Sequence, residues 1–148
     1  PLCLVITGRL DSYPEIGNLI SQHADRVVSI GYVEESALPF LYSAASLVAY
    51  PSSYEGFGMP IVEAQACGTP VLVSNVSSMP EVSGGASILV EPASAESIVH
   101  GIELGLQDTS LRQHLIKAGL MNAKRFSWRV GAEQLASLLC DVGKAYKV

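Results

Sequence analysis

Residues 47–74 read LVAYPSSYEGFGMPIVEAQACGTPVLVS, and this stretch decides the fold. Leu47–Tyr50 is a short apolar run closed by Pro51. A polar loop with two glycines follows. Pro60–Cys67 then reads as a helix, with proline in its first position and Gly68 where a left-handed C-terminal residue belongs. Val71–Ser74 is the next apolar run. Two strands with a helix between them make a right-handed crossover, and such units build a parallel sheet covered by helices.

The same alternation extends outward in both directions. Leu2–Thr7 (LCLVIT) is a continuous apolar run ending at Gly8, the pattern of a strand buried on both faces. Pro14–His23 predicts a helix with Ile16, Leu19 and Ile20 on one side. Val27–Ile30 is a strand stopped by Gly31. Glu35–Ala45 predicts a helix with Leu38, Leu41, Tyr42 and Ala45 at helical spacing, which puts Pro39 in its first turn. Toward the C-terminus, Ser87–Val90 is a strand, and helices are expected over 94–107 and 109–124. A last helix from about 128 is capped by Ser127. Along it Trp128, Ala132, Leu135, Leu139, Val142 and Tyr146 recur at steps of three and four, which predicts one docked apolar stripe. Gly131 and Gly143 each cost that helix about 1 kcal/mol against alanine. The expectation is an α/β protein with a doubly wound parallel sheet.

Composition narrows the function classes. The chain has 148 residues, 49% hydrophobic and 16% charged, which argues against disorder. Mean hydropathy is +0.33, yet no apolar run approaches the roughly 18 residues of a membrane helix. Nine Lys+Arg against fourteen Asp+Glu give a net charge of −5, which speaks against a nucleic-acid surface. No Lys or Arg stands between Arg26 and Arg112, so an anion site there must use backbone N–H groups and helix ends. Cys3, Cys67 and Cys140 are dispersed in apolar sequence and read as small core residues of a cytosolic protein. His23, His100 and His114 lack ligand spacing, so neither metal nor other cofactor is expected.

In parallel sheets, ligands bind outside the carboxyl ends of the strands. The richest segment in such a place is Glu55-Gly56-Phe57-Gly58-Met59-Pro60, after Tyr50. Gly56 and Gly58 let the backbone approach a ligand with no Cβ in the way. The helix behind them turns its free N–H groups toward the same spot. Pro60 has no N–H, so Gly58, Met59 and the turn from Ile61 are expected to donate. A phosphate, a diphosphate or a carboxylate would each suit such donors. Glu55 and Glu63 bracket the loop, eight residues apart. Two carboxylates beside an anion are unfavourable unless they accept hydrogen bonds from neutral hydroxyls, which sugars supply.

The segment resembles the Glu-x7-Glu signature of retaining GT-B glycosyltransferases of family 4, the group 1 glycosyl transferases. Gly31-Tyr32-Val33, Leu38 to Ala45, Pro51-Ser52, Glu63 to Val71, Ser74-Asn75, Pro80-Glu81, Val90-Glu91-Pro92 and Phe126-Ser127-Trp128 match the family's order and spacing. The resemblance implies the Rossmann-like, C-terminal half of the GT-B fold, with residues 1–148 as one donor-binding domain. It implies a retaining hexosyltransferase that uses a nucleoside diphosphate sugar and needs no metal. Glu55 would be the catalytic-site group that accepts hydroxyls of the donor sugar. Gly56, Phe57, Gly58 and Met59 would meet sugar and diphosphate through their amides. Glu63 would hold the ribose, and Tyr32 and Val33 would read the base with Leu38 packed nearby. Each has a plainer rival, in which Tyr32 and Leu38 are core residues and Phe57 packs under the loop.

The resemblance also implies what lies outside these residues. In this family the domain opens with one more strand and helix, bearing an Arg and a Lys that neutralise the diphosphate. Gly8-Arg9 falls on the equivalent of the second strand, so Arg9 is not read as that arginine. The chain is therefore expected to be truncated on its N-terminal side and inactive alone. An open slot is expected between Leu2–Thr7 and Leu47–Tyr50. The acceptor, a sugar, lipid or polysaccharide, would bind through an N-terminal domain absent here. The resemblance also implies a cytoplasmic location, with the full-length protein free to sit peripherally at the inner membrane. Two other readings stay open: a non-catalytic nucleotide-binding or assembly module, and a GT-B nucleotide-sugar epimerase.

Overall fold

A computed structural model describes residues 2–10 and 13–145. The chain divides into two compact units, residues 1–41 and 42–148, and the division falls inside one helix. In the first unit, β1 (Leu4–Thr7) and β2 (Val27–Gly31) pair in parallel through the crossover helix α1 (Pro14–Gln22). Pro14 opens α1 as expected. Leu4 and Val5 are 54% and 44% exposed, which corrects the expectation of a strand buried on both faces. Within this unit, two strands and one nine-residue helix offer too little surface to cover the ladder.

Helix α2 (Leu38–Ala44) is shorter than the Glu35–Ala45 expected from spacing. Residues 35–37 form a turn, in which Ala37 N–H and Leu38 N–H both donate to the Glu34 carbonyl. A helix begun at Glu35 would need the N–H that Pro39 lacks.

The second unit carries a three-stranded parallel sheet, order β3 (Val48–Tyr50), β4 (Val71–Ser74), β5 (Ile88–Val90). Central β4 has the continuous burial its sequence predicts. Val71 and Val73 enter a cluster with Ile61, Ala64, Met79 and Val82, from helices α3 (Met59–Ala66) and α4 (Met79–Ser83). Leu72 packs instead with Ile88, Val90 and Leu115. Alternate side chains thus feed two cores, one on each face of β4. The second core is roofed by α5 (Ala95–Gln107) and α6 (Thr109–Ala123). Ser94 caps α5 by accepting from Ser97 N–H at 3.1 Å, and Asp108 caps α6 by accepting from Leu111 N–H at 2.8 Å.

A buried polar chain joins α3, α4 and α6. Gln65 Nε2 donates to the Ser83 and Ala86 carbonyls, each at 3.1 Å, and its Oε1 accepts from Asn122 Nδ2 at 2.7 Å. The second proton of Asn122 Nδ2 goes to the Val82 carbonyl at 2.8 Å. Asn122 Oδ1 accepts from Arg125 Nη1 at 2.7 Å. Gly119 lets the helices close, since a Cβ there would stand 3.1 Å from Gln65 Cγ.

Three further expectations are corrected. Helix α4 was not predicted, because five residues are too short for a periodic signal. Helix α7 (Trp128–Ala145) has Val130 N–H donating to Ser127 Oγ at 3.4 Å, but its apolar stripe is not docked. Trp128, Leu135, Leu139 and Val142 are exposed, as is Ala132, and Tyr146 lies outside the described residues. Helical periodicity reports that a face is apolar, not that a neighbour covers it. Cys3 and Cys140 are exposed and Cys67 is half-buried, so the three are free thiols and not core residues. Cys3 enters the exposed β1 and Cys140 stands on α7, both outside the two cores. No described helix is long and apolar enough to cross a membrane.

Helix α5 sits close on the sheet because Gly101 faces it. A Cβ there would lie 2.6 Å from Val90 Cγ1 and 2.8 Å from Leu72 Cδ1. Gly101→Ala is expected to lower stability by about 1–3 kcal/mol through overpacking, read from the denaturation midpoint. Gly131→Ala, where an added methyl meets nothing within 4 Å, is expected to be neutral or mildly stabilising. Equal midpoints for the two variants would contradict this packing.

Candidate functional site

The loop of residues 51–58 leaves the carboxyl end of β3 and turns into α3. Gly58 holds φ +98°, a left-handed value that an L side chain rarely adopts, and serves as the N-cap. A Cβ there would also meet Ile61 Cδ1 at 2.9 Å. The helix begins at Met59, so Pro60 occupies its second position and not its first. Ile61 N–H donates to the Gly58 carbonyl at 3.0 Å, which removes it from the expected donors. Among the described residues, the N–H groups of Gly56, Phe57, Gly58 and Met59 meet no acceptor within the protein. Four consecutive free donors at the positive end of a helix make an anion-binding arrangement. At the other end of α3, Gly68 N–H donates to the Gln65 carbonyl and Thr69 N–H to the Ala64 carbonyl, each at 3.0 Å. With Gly68 at φ +74°, this is the glycine stop predicted from sequence.

Both glutamates are held by tyrosines. Tyr50 Oη donates to Glu55 Oε1 at 2.5 Å, and Tyr42 Oη donates to Glu63 Oε2 at 3.0 Å. Burial and the hydrogen bond to Glu55 push the Tyr50 phenol up to about 12. Burial, with the bond to Glu63 behind it, pushes Tyr42 up further. Both phenols are thus protonated donors at neutral pH.

The rear of the loop is fastened by the turn after β4. Ser77 Oγ donates to the Glu55 carbonyl at 2.6 Å and accepts from Glu55 N–H at 3.3 Å. Ser78 Oγ lies 2.9 Å from the Glu55 carbonyl and 3.0 Å from the Phe57 carbonyl, sharing its proton between them. Ser77 is the one non-glycine residue at positive φ (59°) among the described residues. That conformation costs of order 1 kcal/mol, which the reciprocal bonds to Glu55 offset. Phe57 stands edge-on to Phe126, with ring centres 5.5 Å apart. The Phe57 ring is nevertheless 40% exposed, so this contact leaves part of it open. A cavity of about 130 Å³ opens beside it, lined by Gly56, Phe57, Ser78, Glu81, Val82, Arg125 and Phe126.

The structure thus gathers Glu55, Gly56, Phe57, Gly58, Met59 and Glu63 on one strand–loop–helix unit, with Glu63 as the fifth residue of α3. Tyr32, Val33 and Leu38 belong to the other compact unit. There Tyr32 is 67% exposed, which excludes the core reading for it, while Val33 and Leu38 are half-buried. Sequence reasoning missed Tyr42, Tyr50, Ser77, Ser78 and Arg125. The two serines follow a strand end, the place where the search rule for parallel sheets directs attention. Arg125 lies far along the chain from the loop, and no local pattern signals it. Its guanidinium sits 5.3 Å from the centre of the Phe126 ring. Among the described residues, no three His, Cys, Asp or Glu side chains gather as a metal site.

Comparison with known proteins gives a consistent picture. The model of the family described as glycosyl transferases group 1 matches residues 1–121. The chain is 50% identical over 99 residues to O-antigen chain mannosyltransferase B of Escherichia coli, covering 67% of this chain and 26% of that protein. Among solved structures, sucrose-phosphate synthase from Thermosynechococcus elongatus superposes with TM-score 0.84 at 30% identity, covering 97% of this chain and 39% of that one. Anabaena HepE, solved in complex with UDP and glucose, superposes with TM-score 0.83 at 25% identity, covering 94% and 40%. The chain spans about a quarter of the curated mannosyltransferase it matches.

The raised phenols generate a prediction at high pH. A folded-state value above the ordinary 10 means that the folded protein keeps protons the unfolded chain releases. The contribution is fully present below pH 10 and is lost as pH climbs through the raised values. Tyr42 and Tyr50 are expected to ionise above the ordinary phenol range in a phenolate absorbance titration. Tyr50→Phe should remove one of the late steps and soften the alkaline loss of stability. A single step near pH 10 for every tyrosine would contradict the two hydrogen bonds.

Proposed function

The chain belongs to the glycosyl transferases group 1, and on that footing we propose that it is the donor-binding part of a retaining hexosyltransferase. One observation carries the reading: four free amides at the start of α3 stand between two glutamates already accepting neutral hydroxyls. A nucleoside diphosphate sugar has the matching parts. Its diphosphate takes the amides of Gly56, Phe57, Gly58 and Met59. Hydroxyls of the sugar donate to Glu55, and those of the ribose donate to Glu63. The HepE structure with UDP and glucose supports this class of ligand.

In the proposed reaction, the bond between the anomeric carbon and the diphosphate oxygen breaks. The acceptor oxygen bonds to that carbon on the same face, and its proton passes to the leaving phosphate. Glu55 orients the sugar, and the helix end stabilises the charge that develops on the diphosphate. Further positive charge is expected from an Arg and a Lys outside these residues. The acceptor is a hydroxyl of a sugar, lipid or polysaccharide bound by another part of the natural polypeptide.

Calorimetry on the glutamate variants tests the assignment. Glu63→Ala is expected to weaken a nucleoside diphosphate by about 1–2 kcal/mol, through lost charge-assisted bonds to ribose. Glu55→Ala should leave the nucleoside diphosphate unaffected and weaken only the sugar-bearing donor. Equal losses of both ligands in both variants would refute the division of roles.

A further inference from the structure

We propose that Tyr42 and Tyr50 are positioning residues, each fixing one oxygen of a site glutamate through its phenol and leaving the other oxygen for a ligand hydroxyl. The inference rests on the reading of Glu55 and Glu63 as sugar- and ribose-binding groups. The pairing is one to one: Tyr50 with Glu55 Oε1, Tyr42 with Glu63 Oε2. Each tyrosine comes from the scaffold and not from the loop. Tyr50 is the last residue of β3 and pairs with Val73 in the ladder. Tyr42 lies in α2, and its carbonyl accepts from Thr69 Oγ1 at 2.7 Å. Both rings pack against the core cluster of Ile61, Ala64, Val71 and Val73.

The choice of phenol follows from the charge of the ligand. A carboxylate offers about four acceptor positions, so one phenolic bond leaves capacity for a second donor. Among the described residues, neither glutamate enters an ion pair. A lysine or arginine in place of either tyrosine would bring a charge that also attracts the diphosphate, and would blur which group meets which part of the ligand. A neutral phenol orients the carboxylate without competing for phosphate. A phenol is protonated throughout the neutral range, and burial with the neighbouring carboxylates pushes both of these higher still. Held side chains lose less rotamer freedom when the ligand arrives.

The test uses the complete natural polypeptide and calorimetry. UDP, GDP and ADP are screened first, followed by the sugar nucleotides of whichever base binds. Tyr42→Phe is expected to weaken the nucleoside diphosphate by about three- to tenfold. Tyr50→Phe should leave the nucleoside diphosphate unchanged and weaken the sugar nucleotide by a similar factor. Each tyrosine change is repeated with its partner replaced, as Tyr42→Phe in Glu63→Gln and Tyr50→Phe in Glu55→Gln. There it should cost nothing further, because a residue acting through the glutamate has nothing left to position. A general loss of packing would persist in those backgrounds, and in Tyr50→Phe it would weaken the nucleoside diphosphate as well, either of which overturns the proposal. Unchanged binding in the tyrosine variants, with weakened binding in Glu55→Gln and Glu63→Gln, overturns it too while leaving the donor-site reading intact. Unchanged binding in all four single variants removes the donor-site reading and this proposal with it.

Discussion

The side chain of Gln65 is 1% exposed, and every hydrogen-bonding group it carries is satisfied inside the protein. Its amide protons hold the carbonyls of Ser83, the last residue of α4, and of Ala86 just beyond it, and its oxygen holds Asn122 on α6. Asn122 in turn takes the Val82 carbonyl and the Arg125 guanidinium. A buried amide left without partners costs about 1–3 kcal/mol. The three helices are therefore locked in one mutual arrangement, because any slip would strand several such groups at once. That constraint reaches the loop of residues 51–58. Helix α3 presents the free amides at its start, and the turn leading into α4 carries the serines that fasten Glu55 and Phe57 from behind. Arg125, at the end of the chain of bonds, lines the cavity beside Gly56.

The loop is therefore held from three sides by groups of different kinds. Serine hydroxyls take its carbonyls, tyrosine phenols take the glutamates that flank it, and Phe126 meets the ring of Phe57. Most of these are neutral donors. In a segment with no Lys or Arg between Arg26 and Arg112, neutral donors and backbone dipoles have to do what ion pairs do elsewhere. The result suits a ligand carrying both an anion and many hydroxyls, since amides and carboxylates each find a matching partner.

The sequence made some of this legible and hid the rest for identifiable reasons. Central β4 and the glycine stop at Gly68 were readable because each depends on short-range pattern: a run of β-branched and apolar residues, and a residue free to adopt positive φ. Glu55, Glu63 and the Gly-Phe-Gly turn were readable because they lie together in one segment. The tyrosine partners were not. Tyr42 on α2 reaches Glu63 on α3 across 21 positions, a separation no local pattern reports. Arg125 is further still, so counting cations along the chain gave the wrong impression of charge near the loop. Burial failed in the opposite direction, since the apolar runs of β1 and α7 promised cover that the described residues do not supply. Periodicity states which face is apolar, whereas burial depends on neighbours that a local pattern does not specify.

In the proposed donor site, the amides of Gly56–Met59 and the carboxylates of Glu55 and Glu63 hold one nucleoside diphosphate sugar. The decisive measurement is a crystal structure of the complete polypeptide soaked with a sugar nucleotide that it binds. Diphosphate oxygens are expected within hydrogen-bonding distance of those amides, with ribose hydroxyls on Glu63 and sugar hydroxyls on Glu55. A ligand seated elsewhere, with the start of α3 empty, would contradict it.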